Sequence, residues 1–382
     1  MRILIAPDSF KGSLSAPEAA DAIAAGVTRA CPDAEIDRAP LADGGEGTTE
    51  ALVAAAGGEY AILTVTGPLG DPVEGRYGLI DGGRTAVIEM AAAAGYALVP
   101  PDQRDPRHTT TRGVGELIRH ALDNGATQII LGLGGSATND AGAGMAQALG
   151  YRLLDAEGHD LPPGGAALAR LDSIDPSQRH PRLADCQARA ACDVDNPLYG
   201  PKGASHVFGP QKGATPETAA ELDKALAHFS RCVADQLGAS VADVPGAGAA
   251  GGLGAGVLAF CGGCLEPGFG LVAEACNLAE RIERADLVLT GEGALDGQTL
   301  GGKVPHGAAR LAAERGTPAV ALAGRLGGGY RDLYGAGLTA AFSIAPGPIG
   351  EEESMARTAE FLTDAAEAVA ALWRGAHAKE NP

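Results

Sequence analysis

Short apolar runs ending in glycine alternate with Ala/Leu/Glu/Arg stretches of helical period along most of this chain, and that alternation leaves few architectures open. The runs fall at residues 2–6, 62–65, 85–90, 127–133, 286–290, 319–323 and 339–344. Each is too short for a helix, rich in Val, Ile and Leu, and bounded by Gly, Pro or Asp, which predicts strands. Residues 16–30, 112–124, 215–237 and 305–315 carry the clearest helical period. A strand that feeds a helix and then another strand must cross over, so the pattern predicts a parallel sheet with helices on both faces.

Two stretches break the alternation. Residues 63–90 hold three strand candidates joined by Gly67-Pro68 and Gly82-Gly83, which predicts an antiparallel or mixed segment. Residues 155–181 are rich in Pro, Gly and Asp and are expected to form an irregular loop. A chain of 382 residues exceeds one ordinary core, so two domains are expected. The pattern places a doubly wound α/β domain at residues 1–58 and 280–382, interrupted by a mixed α/β domain at 59–279. With aromatic residues at only 4%, Ala, Val, Leu and Ile must fill both cores. The 57 glycines follow no collagen-like period and sit where tight turns or close backbone approach are needed.

A formal charge of −19 repels nucleic acid and anionic membrane surfaces, so neither is an expected partner. It also requires local donors, a helix N-terminus or a cation to draw in any anionic substrate. No apolar stretch reaches the roughly 20 residues that span a bilayer, and Ile3-Leu4-Ile5 begins a strand directly, so a cytoplasmic location is expected. Seven scattered cysteines argue against a disulfide framework, and Cys261-Gly-Gly-Cys264 lacks a second pair to complete a metal site. These cysteines are expected to act as small buried hydrophobes.

Five polar loops could carry chemistry. The first, Pro7-Asp8-Ser9-Phe10-Lys11-Gly12-Ser13, follows the first strand, at the sheet edge where open α/β folds bind ligands. Its plain alternative is a helix cap from Ser13 or Ser15 with Lys11 in solvent. The second, Asp43-Gly-Gly-Glu46-Gly, sets two carboxylates among glycines in a turn. In the third, Gly132-Leu-Gly-Gly-Ser136-Ala-Thr138-Asn139-Asp140, the glycines follow a strand, and Asp155 lies where a dinucleotide ribose would be read. That makes an NAD-dependent hydroxy-acid dehydrogenase the natural rival function. The hydroxyls, amide and carboxylate after the glycines disfavour it, because a pyrophosphate prefers bare backbone N–H groups. Capping explains one of those four polar residues, not all of them.

The fourth loop, Asp193-Val-Asp195-Asn196, groups oxygen ligands of the kind Mg²⁺ takes, and Phe208-Gly-Pro-Gln211-Lys212-Gly213 adds a basic loop. The fifth runs from Thr290 through Glu292, Asp296, Gln298 and Thr299 to Lys303. Gly297-x₄-Gly302-Lys303 is close to a P-loop, but Val304 stands where a magnesium-binding hydroxyl belongs, so the match is incomplete. Together these loops supply carboxylates, lysines and dense backbone amides. Phosphoryl transfer needs that combination, since its catalysis is mostly positioning and charge neutralisation. Zinc hydrolysis would need clustered histidines, and serine hydrolysis a Gly-x-Ser-x-Gly elbow, and the sequence has neither.

At these loops the chain resembles the bacterial type-1 glycerate kinase family. The resemblance rests on Ala-Pro-Asp8-Ser-Phe-Lys11-Gly-Ser, Ala-Asp43-Gly-Gly-Glu46-Gly-Thr, Gly-Gly-Ser136-Ala-Thr-Asn139-Asp140, Asp193-Val-Asp195-Asn-Pro-Leu, Val-Phe-Gly-Pro-Gln211-Lys212-Gly and Thr-Gly-Glu292-Gly, in family order. Ala294, where the family pattern has Arg, and Gly297, where it has Ser, depart from it, and residues 346–353 look divergent. The resemblance implies a flavodoxin-like domain interrupted by a domain with a restriction-endonuclease-like core. It further implies ATP and Mg²⁺ dependence and D-glycerate as substrate, with 2-phosphoglycerate favoured over 3-phosphoglycerate.

On that basis the active site is expected in the cleft between the two domains, in a monomer or homodimer. Asp193 or Asp296 would accept the glycerate hydroxyl proton, and Asp195 or Glu292 would hold Mg²⁺. Lys11 and Lys303 would neutralise phosphate or carboxylate. Asp8, Ser9, Asp43, Glu46, Ser136, Asn139 and Asp140 would meet substrate, and Thr138, Lys212, Gln298, Thr299 and Lys303 the nucleotide.

Overall fold

The computed structural model describes residues 1–377. The chain divides into two compact units, the first made of Met1–Asp43, Glu50–Gly57 and the chain from Phe269 onward. Its sheet has five parallel strands in the spatial order Glu35–Arg38, Arg2–Ile5, Leu287–Leu295, Ala319–Leu326, Ala340–Ser343. The chain winds outward in one direction from Arg2–Ile5 and in the other from Leu287–Leu295, so the order reverses between these two strands. At such a switch point the connections leave in opposite directions and open a crevice at the strands' carboxyl ends.

Ile3, Ile5, Leu287, Leu289 and Leu322 bury the sheet face against Ile23 and Val27 of helix Ala16–Ala30 and Phe361, Leu362 and Ala366 of helix Thr358–His377. The two helices pack so closely that a Cβ on Gly26 would strike the carbonyl of Thr363. Helix Ala16–Ala30 starts where its sequence says it should: Ser15 caps it, and Glu18 closes a capping box by accepting from the Ser15 N–H at 2.8 Å.

The second unit, Gly44–Thr49 with Gly58–Gly268, is built on six strands. Their spatial order is Cys264–Glu266, Gln187–Ala191, Gln128–Gly132, Thr85–Glu89, Pro72–Ile80, Glu59–Thr66. The last three form an antiparallel meander, and the others add on in parallel. The core joins Ile88 and Leu131 of this sheet to Leu117 and Ile118 of helix Arg112–Asp123, with Leu226 and Phe229 of helix Pro216–Leu237 in the same apolar cluster. Among the described residues, no helix is long and apolar enough to cross a membrane.

The structure corrects one local expectation. Residues 155–181 are not all irregular: Ser173–Asp175 pairs antiparallel with Arg152–Leu154, and Gly165–Arg170 is a 3₁₀ helix. The glycine-rich stretch after Gly246 is a helix, Ala249–Phe260, with left-handed backbone at Ala250, Gly251 and Gly252. A Cβ on Gly251 would strike the carbonyl of Thr138, so this stretch is glycine-rich because a polar loop lies against it. One cysteine also departs from the buried reading, since Cys264 is exposed and its thiol donates to Glu266 Oε1 at 3.0 Å.

Candidate active site

Backbone hydrogen bonds prolong the first unit's sheet past its regular strands, and the polar loops ride on that extension. The Asp8 N–H donates to Gly291 O at 2.8 Å, Ala39 N–H to Ile5 O at 2.8 Å, and Leu41 N–H to Pro7 O at 2.9 Å. Asp8 and Asp43 are thereby carried beside the strand that bears Glu292. Alternation along Leu287–Leu295 sets Glu292 and Ala294 on one face. Beyond Asp8 the chain turns at Gly12, whose φ of +78° suits glycine, and Ser13 donates to the carbonyl of Met355 at 2.6 Å. Ser15 takes the capping role instead.

These carboxyl ends enclose a cavity of about 690 Å³. Asp8, Ser9, Lys11, Asp43, Glu292, Asp296, Gln298 and Lys303 all line it, so eight of the expected site residues share one space. Thr299, expected at the nucleotide, is fully buried, and its hydroxyl donates to Glu292 Oε1 at 2.7 Å while accepting from the Asp296 N–H at 3.2 Å. Lys303 precedes helix Val304–Ala313 and places its ammonium 3.6 Å from Glu292 Oε2. Asp296 accepts from the Gln298 N–H at 2.9 Å.

Charge crowding here has measurable direction. Burial, then repulsion from Asp43 and Glu292, raises the Asp8 carboxyl to about 7, against the opposing Ser9 N–H and Lys11. Burial also raises Glu292, while the Thr299 hydroxyl and Lys303 pull it down. The sequence reading missed part of the cavity: Arg325, at the end of strand Ala319–Leu326, and a wall from Ala345 to Thr358. Pocket position came from the sheet register and chain return, which no local motif marks.

The remaining expected residues belong to the second unit. Lys212 is buried and donates to Ser136 Oγ and to Thr138 O, each at 2.7 Å; burial lowers its ammonium to about 7. Asp140 accepts from Thr111 N–H at 2.8 Å and hydroxyl at 3.0 Å, and from the N–H groups of Gly142 and Gly144, each at 3.2 Å. Burial raises its carboxyl nonetheless. Asn139 donates to Ser205 Oγ at 2.9 Å, and Thr138 Oγ1 and Asn139 Oδ1 are buried polar atoms with no hydrogen-bond partner. Glu46, Asp193 and Asp195 are exposed, and Asp193 accepts from the Gly268 N–H at 2.9 Å. Glu89, which the sequence reading also missed, accepts from the Gly47 and Thr49 N–H groups and holds the Glu46 turn.

The dinucleotide alternative fails on geometry. A phosphate site needs the strand to turn straight into a helix N-terminus. Here residues 133–142 separate strand Gln128–Gly132 from a helix of six residues, Ala143–Ala148, and Asp155 is spent on the N–H groups of Glu157 and His159. Among the described residues, no three His, Cys, Asp or Glu side chains are grouped to enclose a metal ion.

Comparison with known proteins agrees with the family resemblance. The profile of the Glycerate kinase family matches residues 3–374. A glycerate kinase of Halalkalibacterium halodurans is 50% identical over 97% of each chain, and a glycerate 2-kinase of Escherichia coli is 51% identical over 90% of each. A crystal structure of a Salmonella typhimurium protein superposes with a TM-score of 0.91 at 50% identity, covering 99% of both chains. A match of this extent and identity leaves one assignment: the chain belongs to the glycerate kinase family, whose members are kinases that transfer phosphate to an alcohol group.

Proposed function

We propose that this chain transfers the terminal phosphoryl group of ATP to D-glycerate, forming 2-phosphoglycerate in preference to the 3-phosphate. One observation carries the reading beyond family membership: the first unit's cavity gathers Asp8, Asp43, Glu292 and Asp296 with Lys11 and Lys303 at the carboxyl ends of parallel strands. Acids to manage a proton and a cation, beside lysines to neutralise oxyanions, are what phosphoryl transfer asks of a protein. The product preference draws on the relative named glycerate 2-kinase. The strand order of the first unit, 2-1-3-4-5 when numbered within it, supports a flavodoxin-like description. The mixed sheet of the second unit is compatible with a restriction-endonuclease-like core.

The donor set fits Mg²⁺. Every acidic group lining the cavity offers oxygen alone, and Mg²⁺ commonly takes one or two carboxylates and completes its shell with phosphates and water, so no three-carboxylate cage is required. Glu292 would hold it, with Asp195 the second candidate. When bound, the ion would neutralise charge on the phosphates. Lys303 steadies Glu292, and Lys11 is free to approach an oxyanion. Asp296 and Asp193 are candidates to take the hydroxyl proton, and Asp8 joins them because a carboxyl near 7 matches that task at neutral pH.

The test is ADP formation from ATP with D-glycerate, coupled to a spectrophotometric readout, with the product examined by phosphorus NMR. Activity that vanishes with EDTA and returns with Mg²⁺ is expected. Asp8→Asn is expected to lower kcat about 100-fold, the lower range for losing a positioned acid or base. Wild-type protein that forms no ADP with D-glycerate would sink the proposal.

A further inference from the structure

Arg325 and Ala294 face each other in the parallel pair of strands at the mouth of the first unit's cavity. Register partners in adjacent strands present their side chains to the same face, and both residues line the same space. Next to them the two strands run close at Gly293 and Gly324, where a Cβ on Gly324 would sit 2.6 Å from Gly293 O. Ala294 contributes only a methyl group. On the face they share, no larger side chain of the neighbouring strand at this register competes with the guanidinium for the cavity.

Its charge is uncommitted. Three cationic side chains line the cavity, Lys11, Lys303 and Arg325. Lys303 is held by Glu292, while Lys11 stays free to approach an oxyanion beside Asp8. Among the described residues the Arg325 guanidinium makes no hydrogen bond or ion pair. Facing these cations are Asp8, Asp43, Glu292, Asp296 and Glu351. An anionic ligand entering so acidic a lining, on a chain of charge −19, needs a donor whose charge is not already cancelled. A guanidinium is the side chain whose planar fork matches a carboxylate or phosphate in two parallel hydrogen bonds.

We infer that Arg325 is a further oxyanion-binding residue of this cavity, gripping a carboxylate or phosphate oxygen pair in the space it shares with Ala294. The inference rests on the kinase reading for its substrates, though not for the chemistry of the contact. Arg325→Ala is expected to raise KM about tenfold for one substrate and leave kcat within a factor of about two, as loss of a charge-assisted hydrogen bond made equally in ground and transition states would. A shift confined to D-glycerate assigns the carboxylate, and one confined to ATP assigns the phosphate. Ala294→Arg in the Arg325→Ala background returns a guanidinium to the same space and is expected to recover most of the affinity, whereas a merely structural loss would not be recovered this way. Calorimetric titration with D-glycerate and with inorganic pyrophosphate reads the same contact without turnover. Wild-type protein without kinase activity would therefore overturn the proposed function alone. Binding of both ligands unchanged in Arg325→Ala, or a double variant no better than the single, would overturn the role of Arg325.

Discussion

The cavity of the first unit and the polar cluster of the second use nearly the same side chains to opposite ends. In the cavity, Lys303, Glu292 and Thr299 form a lysine–carboxylate–hydroxyl chain whose lysine is 31% exposed. In the second unit Lys212, Asp140, Ser136 and Thr111 make a similar set, with Lys212 only 2% exposed and its partners already engaged. The difference lies in what the hydrogen bonds leave over. Around the cavity, Asp8, Lys11 and Arg325 keep polar capacity pointed at open space. In the cluster, Asp140 spends its oxygens on four donors, and only Thr138 Oγ1 and Asn139 Oδ1 are left without a partner. Similar residue types thus border open space in one place and are enclosed by their own loop in the other, and water access separates the two cases.

The sharpest way to break that contrast is Asp140→Ala. Its removal leaves four donors of a buried loop without an acceptor, and each such group costs about 1–3 kcal/mol when burial prevents water from replacing the bond. Relaxation will recover part of this, so a loss of at least about 3 kcal/mol is expected in urea unfolding. Glu292→Gln on the cavity side should change unfolding by no more than about 1 kcal/mol while abolishing most activity, since it keeps an acceptor for Thr299. Equal destabilisation by the two substitutions would show that the cavity is as structurally committed as the cluster.

A second contrast is electrostatic and runs in opposite directions with pH. Asp8 has its folded value raised from 3.8 to about 7, so between those limits the folded chain keeps a proton that the unfolded chain has lost. Stability from this group is complete at low pH and falls as pH rises, by at most about 1.4 kcal/mol per pH unit for one proton. Lys212 has its folded value lowered from 10.5 to about 7, so in that window the unfolded chain holds the extra proton. Stability from Lys212 therefore grows as pH rises from about 7 to 10.5 and is lost as pH falls back across that window. Unfolding midpoints from pH 4.5 to 9.5, taken in chelator, should show Asp8→Asn flattening the lower half of the profile and Lys212→Met the upper half. Overlapping wild-type and variant profiles would remove the electrostatic side of the comparison.

Much of the fold was legible because it is written in short-range pattern. The span of helix Ala16–Ala30 and the strand at Thr85–Glu89 follow from periodicity and capping residues alone. The hairpin of Arg152–Leu154 with Ser173–Asp175 was not, because its partners are separated by a Pro/Gly-rich excursion and each strand is too short to show alternation. The polar loops announced themselves by residue types that capping and turns do not exhaust. Their separate fates did not, since Asp140 and Glu292 look alike in sequence and differ only in how many donors the folded chain turns toward them. Arg325 carried no local signal at all: its position in the cavity is a consequence of register with Ala294.

The smallest expected effect tests whether the cavity also contains a held component. Thr299 is fully buried yet bridges two cavity residues, donating to Glu292 and accepting from the backbone N–H of Asp296. Both bonds hold it in place in the manner of the cluster but at the edge of open space, as expected of a positioning residue. Thr299→Val keeps the shape and removes both bonds, which should cost about 1 kcal/mol of stability and about tenfold in kcat, because an unanchored carboxylate samples unproductive rotamers. KM for ATP and D-glycerate should change less than kcat. Thr299→Ser restores an oxygen at the same place and should recover most of the rate, whereas a purely steric role would make Val the better replacement. Rates for Val equal to wild type would mean that Glu292 needs no support, and the cavity would then contain nothing of the second unit's design.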